Sequence, residues 1–325
     1  MDDAISIQSL RKEYGDTVAI DGLDLSIPSG EVFGFLGPNG AGKSTTIDVM
    51  LNYVRPTAGA VTILGYDAVD ESKAIRRRVG VLSDGYALYD RLTGREHVEL
   101  AIELKGADDD PDRLLRRVGM ADAADRPAGG YSKGMSQRLG LGVALVGSPD
   151  LLVFDEPASG LDPNGVRTLR EIVREEADSG TTVFFSSHDL DQVEAVCDRV
   201  GILNRGELLA VDTVDGLRER LGAATRLCVD AVPLPDADRL SNVEGVGSVA
   251  AEDGRLVADC TDGETKFRLL SAVRESGATL VDFETETASL EDLFAASVGG
   301  SDIEDSAARS DVNARPDDGP VEVDA

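Results

Sequence analysis

The sequence is poor in cysteine, histidine and aromatic residues, and it contains no tryptophan. Its 325 residues include three cysteines, two histidines and only 4% aromatic residues. The cysteines, Cys197, Cys228 and Cys260, are odd in number and lack the spacing of metal ligands. Neither a disulfide framework nor a zinc site is therefore expected, and we interpret the cysteines as small apolar residues.

Long hydrophobic stretches are also absent. No apolar run approaches the roughly 20 residues that a helix needs to cross a bilayer. The first residues, Met1-Asp2-Asp3, are acidic, unlike the basic start of a signal peptide. We therefore expect a soluble chain in the cytoplasm. With 42% hydrophobic residues, the chain is long enough for one large domain and a smaller one.

Basic residues are scarce relative to acidic ones. The chain has 32 Lys and Arg against 61 Asp and Glu, which gives a formal net charge of -29. Such a surface repels nucleic acids and anionic lipids, so we expect no nucleic-acid partner. The acidic residues are spread along the whole sequence. This composition fits an ordinary acidic protein or, as we favour, adaptation to the salt-rich cytoplasm of a halophile.

The most informative motif joins an apolar run to a helical one. Residues 37–45 match Gly-x-x-x-x-Gly-Lys-Ser/Thr, between a predicted strand at 32–36 and a predicted helix at 45–52. Glycines let successive N–H groups point at phosphate oxygens, and Lys43 adds positive charge for the β- and γ-phosphates. The Ser44 hydroxyl is the expected Mg²⁺ ligand. An ordinary glycine-rich turn is the alternative, but the motif predicts nucleoside triphosphate binding by Gly37, Pro38, Asn39, Gly40, Ala41, Gly42, Lys43, Ser44 and Thr45.

A second motif follows an apolar run at 151–154, which is a predicted strand. It is the acidic pair Asp155 and Glu156. We expect Asp155 to orient Mg²⁺ or its water ligands, and Glu156 to act as general base toward the attacking water. Acidic pairs are also common in loops, so the pair takes its meaning from the phosphate loop that precedes it. Together the two motifs predict hydrolysis of a nucleoside triphosphate with Mg²⁺ as cofactor.

The order of predicted elements indicates an α/β fold. Strands alternate with helices, which favours a mostly parallel sheet, and a helical insertion is expected at about 85–146. Residues 222–298 are expected to form a small α+β accessory domain with a hairpin around Asp253-Gly254 and later elements at 266–276, 279–283 and 289–296. The acidic segment 299–325 has almost no bulky apolar residues and is expected to be a disordered tail.

Further motifs resemble the ATP-binding subunit of an ABC transporter over residues 5–221. The resemblance implies a P-loop NTPase core of the ABC ATPase type, with a helical subdomain, in residues 1–221. Tyr131-Ser132-Lys133-Gly134-Met135 stands where that family carries Leu-Ser-Gly-Gly-Gln, and it keeps Ser132 and Gly134. In the family this signature contacts the γ-phosphate held by the opposite subunit. Residues 159–162 match the loop that follows the catalytic glutamate.

The same resemblance gives roles to three single residues. His188 takes the position of the switch histidine, which contacts the γ-phosphate and orients water. Tyr14 takes the position of the aromatic ring that stacks on adenine. Asp84 stands where the family usually has a glutamine that bridges Mg²⁺ and the membrane partner, and a carboxylate can accept from metal-bound water but cannot donate. The other histidine, His97, is expected on an exposed helix without such a role.

The resemblance also implies partners. It predicts a homodimer of ATP-binding subunits that energises export through an integral-membrane permease on a separate chain, at the inner face of the cell membrane. The Ser-Lys-Gly-Met signature and the run at 290–294 look most like type-2 exporters of drugs, lipids or polysaccharides. The alternative is a soluble ABC ATPase that works with a non-membrane partner such as a cofactor-assembly machine.

The charge balance generates a prediction about salt. Molar salt shortens the Debye length to about 3 Å and so screens repulsion between surface carboxylates. We therefore expect molar KCl to raise both the thermal midpoint and the rate of ATP turnover relative to millimolar KCl. Thermal unfolding and ATPase assays across a KCl series test this. Full stability and activity at millimolar KCl would refute adaptation to high salt.

Overall fold

The computed structural model describes residues 3–85, 87–220, 225–252, 254–261 and 263–287. The predicted helix at 289–296, the run at 290–294 and the predicted tail at 299–325 lie outside these residues. The chain divides into two compact units, residues 1–217 and residues 218–325. Each unit is described by itself.

The elements follow one another in a largely alternating order. The strands are β1 Asp3–Tyr14, β2 Thr17–Pro28, β3 Val32–Leu36, β4 Ala58–Ile63, β5 Tyr66–Asp67, β6 Val79–Leu82, β7 Leu151–Asp155, β8 Thr182–Ser187, β9 Arg199–Asn204, β10 Glu207–Thr213, β11 Thr225–Val232, β12 Val246–Glu252, β13 Arg255–Cys260 and β14 Thr279–Thr287. The helices are α1 Lys43–Met50, α2 Ser72–Arg78, α3 Gly94–Lys105, α4 Pro111–Arg117, α5 Lys133–Ala144, α6 Pro163–Asp178, α7 Leu190–Glu194, α8 Val214–Arg220, α9 Ala237–Leu240 and α10 Gly263–Glu275.

A six-stranded sheet forms the centre of the first unit. Its strand order is β10-β9-β3-β8-β7-β6, and β10 pairs antiparallel to β9 whereas the other neighbours are parallel. Every residue of β3, β7 and β8 is buried, as expected for parallel strands covered on both faces. The rings of Phe33 and Phe35 pack against that of Phe184 in this core. The predicted, mostly parallel α/β sheet is confirmed.

Two further layers complete the first unit. An antiparallel sheet in the order β2-β1-β4-β5 adds its apolar residues, among them Ile5, Ile20 and Ile63, to the same core. Helices α3, α4 and α5 pack against one another between β6 and β7, within the predicted helical insertion. The sequence predicted a strand at 32–36 before the phosphate loop, but it did not show that the preceding strands β1 and β2 belong to a separate sheet.

The second unit is a four-stranded antiparallel sheet with helices α9 and α10. The strand order is β12-β13-β11-β14, and the core includes Leu227, Val229, Leu256, Leu269 and Val273. Strands β12 and β13 form the predicted hairpin. The first strand, β11, was not predicted, because its pairing partners β13 and β14 lie far along the chain.

The state of the cysteines and the character of the helices can be compared with the sequence analysis. All three thiols are free, and burial raises the pKa of the Cys197 thiol far above its ordinary value, so this thiol stays protonated. Within the part of the chain that the structure describes, no helix is both long and apolar enough to cross a bilayer.

Candidate functional site

The phosphate loop connects β3 to α1 and is tightly packed at two glycines. Gly42 has a φ of 110°, and a Cβ atom there would lie 2.7 Å from the carbonyl oxygen of Ala19. A Cβ atom at Gly37 would lie 2.3 Å from the carbonyl oxygen of Leu203. Any side chain at these two positions would displace backbone. The loop is therefore held between the segments that contain Ala19 and Leu203.

A cavity of about 200 Å³ opens at this loop. It is lined by predicted phosphate-binding residues and by two of the predicted acidic residues, Asp84 and Glu156. The lining residues are Ala19, Pro38, Asn39, Gly40, Gly42, Lys43, Ser44, Thr45, Asp84 and Glu156. The structure thus brings together residues that are far apart in the sequence, as the motifs predicted.

Lys43 is buried at the floor of the loop. Its Nζ donates to the carbonyl oxygens of Gly37 at 2.6 Å and Pro38 at 3.3 Å, and it lies 3.4 Å from Oε1 of Glu156. The ammonium therefore connects the phosphate loop to the acidic residue after β7.

Glu156 lies between a cation and a histidine. Its Oε2 is 2.8 Å from Nδ1 of His188, while Oε1 is buried and has no hydrogen-bond partner among the described residues. Its backbone has a φ of 48°, a conformation that non-glycine residues rarely adopt and that is concentrated at functional sites. An unsatisfied carboxylate oxygen beside the cavity can accept a hydrogen bond from water.

Asp155 is the last residue of β7 and is buried. Its Oδ1 accepts a hydrogen bond of 2.5 Å from the hydroxyl of Ser186 on the adjacent strand β8. Asp48 lies in α1, and its carboxyl has a raised pKa. Burial is the larger cause, and the negative charge of Asp155 is the smaller one. Negative charge therefore accumulates beneath the cavity, where a cation would relieve it.

The donor set suits Mg²⁺. Ser44 and Asp84 supply a hydroxyl and a carboxylate to the cavity wall, whereas Asp155 is buried and is not one of the lining residues. Mg²⁺ prefers such oxygen ligands and usually also binds water and substrate phosphates. Among the described residues, no group of three or more His, Cys, Asp and Glu side chains could hold a metal ion.

Ser132 and Gly134 do not line this cavity. They lie at the start of α5, where the Ser132 hydroxyl accepts from the Met135 N–H at 3.2 Å. A Cβ atom at Gly134 would be 2.7 Å from the carbonyl oxygen of Gly160, and Lys133 Nζ donates to the Ser159 hydroxyl at 2.7 Å. The signature segment is thus packed against the loop that follows Glu156.

Tyr14 also lies outside the cavity lining. It is the last residue of β1, its ring is 46% exposed, and Lys12 Nζ lies 4.6 Å from the ring centroid. The exposed ring retains the flat surface on which a base can stack.

The expectation for His97 was wrong. It is buried in α3, where Nδ1 lies 2.7 Å from the carbonyl oxygen of Thr93 and Nε2 accepts from the Tyr89 N–H at 2.9 Å. These contacts fix the segment before α3, whose Thr93 also forms a capping box with Glu96. The His97 ring thus serves as a hydrogen-bond partner for backbone groups of Tyr89 and Thr93, which is a structural role.

Sequence reasoning missed two residues beside the site. Asp48 follows Ser44 by four residues, and this spacing places both on one face of α1. Ser186 belongs to the Ser-Ser-His segment, but only the histidine received a role. Ser186 could have been noticed because it is a polar residue at the end of an apolar strand.

The sheet and the site define a class of protein. A phosphate loop after a central parallel strand, with an acidic pair at the end of a neighbouring strand, is the arrangement of a P-loop nucleoside triphosphatase.

Comparison with known proteins narrows this class. Residues 20–159 match the family model "ABC transporter", and residues 213–298 match "ATP-binding protein DrrA1-3-like, C-terminal domain". The daunorubicin/doxorubicin resistance ATP-binding protein DrrA of Streptomyces peucetius is 35% identical over 306 residues, which are 91% of this chain and 92% of that protein. The linearmycin resistance ATP-binding protein LnrL of Bacillus subtilis is 31% identical over 300 residues, 89% of this chain and 96% of that one.

Solved structures give the same result. An ATP-binding subunit of an ABC transporter superposes with a TM-score of 0.64 at 30% identity, over 67% of this chain and 93% of that chain. A dimeric post-hydrolysis state of the ATP-binding cassette MJ0796, bound to ADP and Pi, superposes with a TM-score of 0.59 at 26% identity. The superposition covers 65% of this chain and 98% of that chain.

The chain belongs to the ABC transporter family as one of its ATP-binding subunits with a DrrA-like C-terminal domain, and the relatives named above are drug-resistance proteins. It is an ATPase subunit that energises export. The predicted family and enzyme class are confirmed.

Proposed function

We propose that two copies of this chain pair head to tail and hold two ATP molecules between them. Lys43 and the phosphate loop of one copy bind each triphosphate, and Ser132 and Gly134 of the other copy contact its γ-phosphate. Ser132 and Gly134 do not line the cavity of their own chain, which supports this division of labour. MJ0796, to which this chain is similar, has been solved as a dimer.

In this proposal Glu156 is the general base. The observation that carries it is the position of the carboxylate, between Lys43 and His188 at the wall of the phosphate cavity. Oε1 accepts the hydrogen bond of the attacking water and then its proton. The contact with His188 holds Oε2, and the exposed part of the histidine ring contacts the γ-phosphate. Lys43 exchanges its loop carbonyls for phosphate oxygens.

The remaining residues bind and orient. The N–H groups of residues 37–45 surround the phosphates, and Tyr14 stacks on adenine. Ser44, Asp155 and Asp84 hold Mg²⁺ directly or through water. The ion, when bound, neutralises charge on the β- and γ-phosphates and draws them into line for attack. Asp84 supplies an acceptor to this shell but lacks the amide donor of the usual glutamine.

The partner is proposed to be an integral-membrane permease on a separate chain, with this chain peripheral on the inner face of the cell membrane. Residues 1–221 act as the ATP-binding domain and residues 222–298 as an accessory domain. The names of the relatives, which refer to daunorubicin, linearmycin and bacitracin, support an amphipathic antibiotic or lipid as cargo. The net charge of -29 supports a salt-rich cytoplasm and a surface that excludes nucleic acid.

Replacement of the proposed base tests the chemistry. Glu156→Gln keeps the shape of the side chain but removes its basicity, so turnover should fall by roughly 10² to 10⁴. ATP binding should persist, and a closed dimer should accumulate. Phosphate release, nucleotide binding and light scattering report these three quantities. Glu171→Gln, on the exposed face of α6, is the matched control, and unchanged hydrolysis in Glu156→Gln would contradict the assignment.

The composite site can be tested by mixing two inactive variants. Lys43→Ala disables the phosphate loop, whereas Ser132→Asp keeps the cap of α5 but places a negative charge against the γ-phosphate. A heterodimer of the two has one intact site, because the signature of the first variant faces the phosphate loop of the second.

An equal mixture should therefore recover about a quarter of the wild-type rate if the sites act independently. ATPase rates of each variant and of the mixture measure this recovery. Ser132→Asn, which caps the helix without the charge, should be less impaired than Ser132→Asp. A mixture that stays as inactive as its components would speak against sites shared between two copies.

A coupled partner tests the transport role. Co-expression with a multispan membrane protein encoded beside this chain should yield a detergent-stable complex, and an amphipathic antibiotic should stimulate its ATPase rate. A complex containing Glu156→Gln should assemble but show no stimulated turnover. Recovery of the chain only with soluble partners would favour the cofactor-assembly alternative.

A further inference from the structure

Ser186 is a fully buried hydroxyl between the two acidic residues of the site. It lies in β8, and its register partner in the parallel strand β7 is Asp155. The hydroxyl donates to Asp155 Oδ1 at 2.5 Å and accepts from the Glu156 N–H at 3.2 Å. One oxygen atom therefore contacts both residues of the acidic pair.

The two contacts stabilise two unfavourable features, the buried carboxylate of Asp155 and the strained backbone of Glu156. A buried carboxylate needs hydrogen bonds to offset its desolvation, and the Ser186 hydroxyl satisfies one oxygen of Asp155. Glu156 has a φ of 48°, and its N–H also points at the Ser186 carbonyl oxygen, at 3.2 Å. The hydroxyl and the carbonyl oxygen of Ser186 are thus the two acceptors of the Glu156 N–H, at a residue whose backbone is strained.

We propose that Ser186 is a positioning residue for ATP hydrolysis. Its hydroxyl fixes the carboxylate plane of Asp155 and the backbone of Glu156 together, so the Mg²⁺-orienting group and the base keep one relative geometry. This inference rests on the roles of Asp155 and Glu156 in the proposed function. Ser186 touches neither the cavity nor the phosphates and acts only through these two residues.

Two other hydroxyls of β8 show that this role is specific to its position. Ser187, the next residue, faces the opposite side of the sheet, and its hydroxyl accepts from the Asp189 N–H at 3.0 Å. Thr182, at the start of the strand, is also buried, and its hydroxyl accepts from the Gly30 N–H at 2.9 Å. Thr182 therefore offers a matched control at the end of β8 away from the acidic pair.

Replacement of Ser186 by threonine and by valine distinguishes the effect of the hydroxyl from the effect of added side-chain volume. Ser186→Thr and Ser186→Val add side chains of nearly equal size to the same buried space, but only threonine keeps the hydrogen bonds. Ser186→Ala removes the hydroxyl without adding volume. Thr182→Val removes a buried hydroxyl elsewhere on the strand and reports the general effect on stability.

The first readout is the split between kcat and KM. A hydrogen bond to a charged group corresponds to roughly a tenfold to hundredfold change in rate. We expect kcat of Ser186→Val and Ser186→Ala to be at least about tenfold below that of Ser186→Thr, with KM for ATP at saturating Mg²⁺ raised only several-fold. Thr182→Val should lose thermal stability without this loss of kcat.

The second readout does not depend on turnover. Binding of a fluorescent ATP analogue is measured with Mg²⁺ and with EDTA. The gain in affinity from Mg²⁺ should be several-fold smaller in Ser186→Val than in Ser186→Thr, because the Asp155 carboxylate is no longer held. Equal kcat and equal Mg²⁺ gain in these two variants would overturn the proposal, as would the same losses in Thr182→Val.

Glu156→Gln is measured in parallel to read the proposed function itself. Normal hydrolysis in that variant removes the base role of Glu156. An inactive Glu156→Gln together with indistinguishable threonine and valine variants removes only the role of Ser186.

Discussion

The site depends on the parallel register of three neighbouring strands. In this register Leu36 of β3 is paired with Ser187 of β8, and Asp155 of β7 is paired with Ser186. The phosphate loop, the acidic pair and the segment with His188 therefore leave the sheet at the same edge, where ligands bind in α/β proteins. A slip of one residue between β7 and β8 would turn the Ser186 hydroxyl away from Asp155.

Electrostatic balance is the second constraint. Four carboxylates, those of Asp48, Asp84, Asp155 and Glu156, lie near the phosphate loop in a chain whose net charge is -29. Lys43 opposes them, and the N–H groups of the loop and the start of α1 add positive potential that does not depend on ionisable residues. Fixed dipoles thus allow a strongly acidic protein to bind a polyanion. The acidic surface outside the loop offers no comparable attraction to nucleic acid.

Most of the central sheet and the chemistry at its edge could be predicted, because both are encoded locally. The phosphate loop is a continuous motif, and Asp155, Glu156 and His188 each follow an apolar strand. The contacts of Ser186 could not be read in this way, since they depend on the register of two strands about thirty residues apart. The burial of His97 depends on how the preceding segment folds back onto α3. Side-chain partners are set by tertiary packing, which the pattern of apolar residues does not specify.

The signature helix also connects the two sites of the proposed dimer. Within its own chain, α5 contacts the loop after the base at several points: Gln137 Nε2 donates to the Pro157 carbonyl oxygen at 3.0 Å, and Lys133 donates to Ser159. In the proposed head-to-tail dimer, the start of the same helix would face the γ-phosphate bound by the other copy. A shift of α5 on loss of that phosphate would therefore move residues 157–159 and, through them, Glu156 of its own site. Gln137 is buried, and its contact is with backbone. In the proposed dimer, these contacts would link the γ-phosphate at one site to the proposed base at the other.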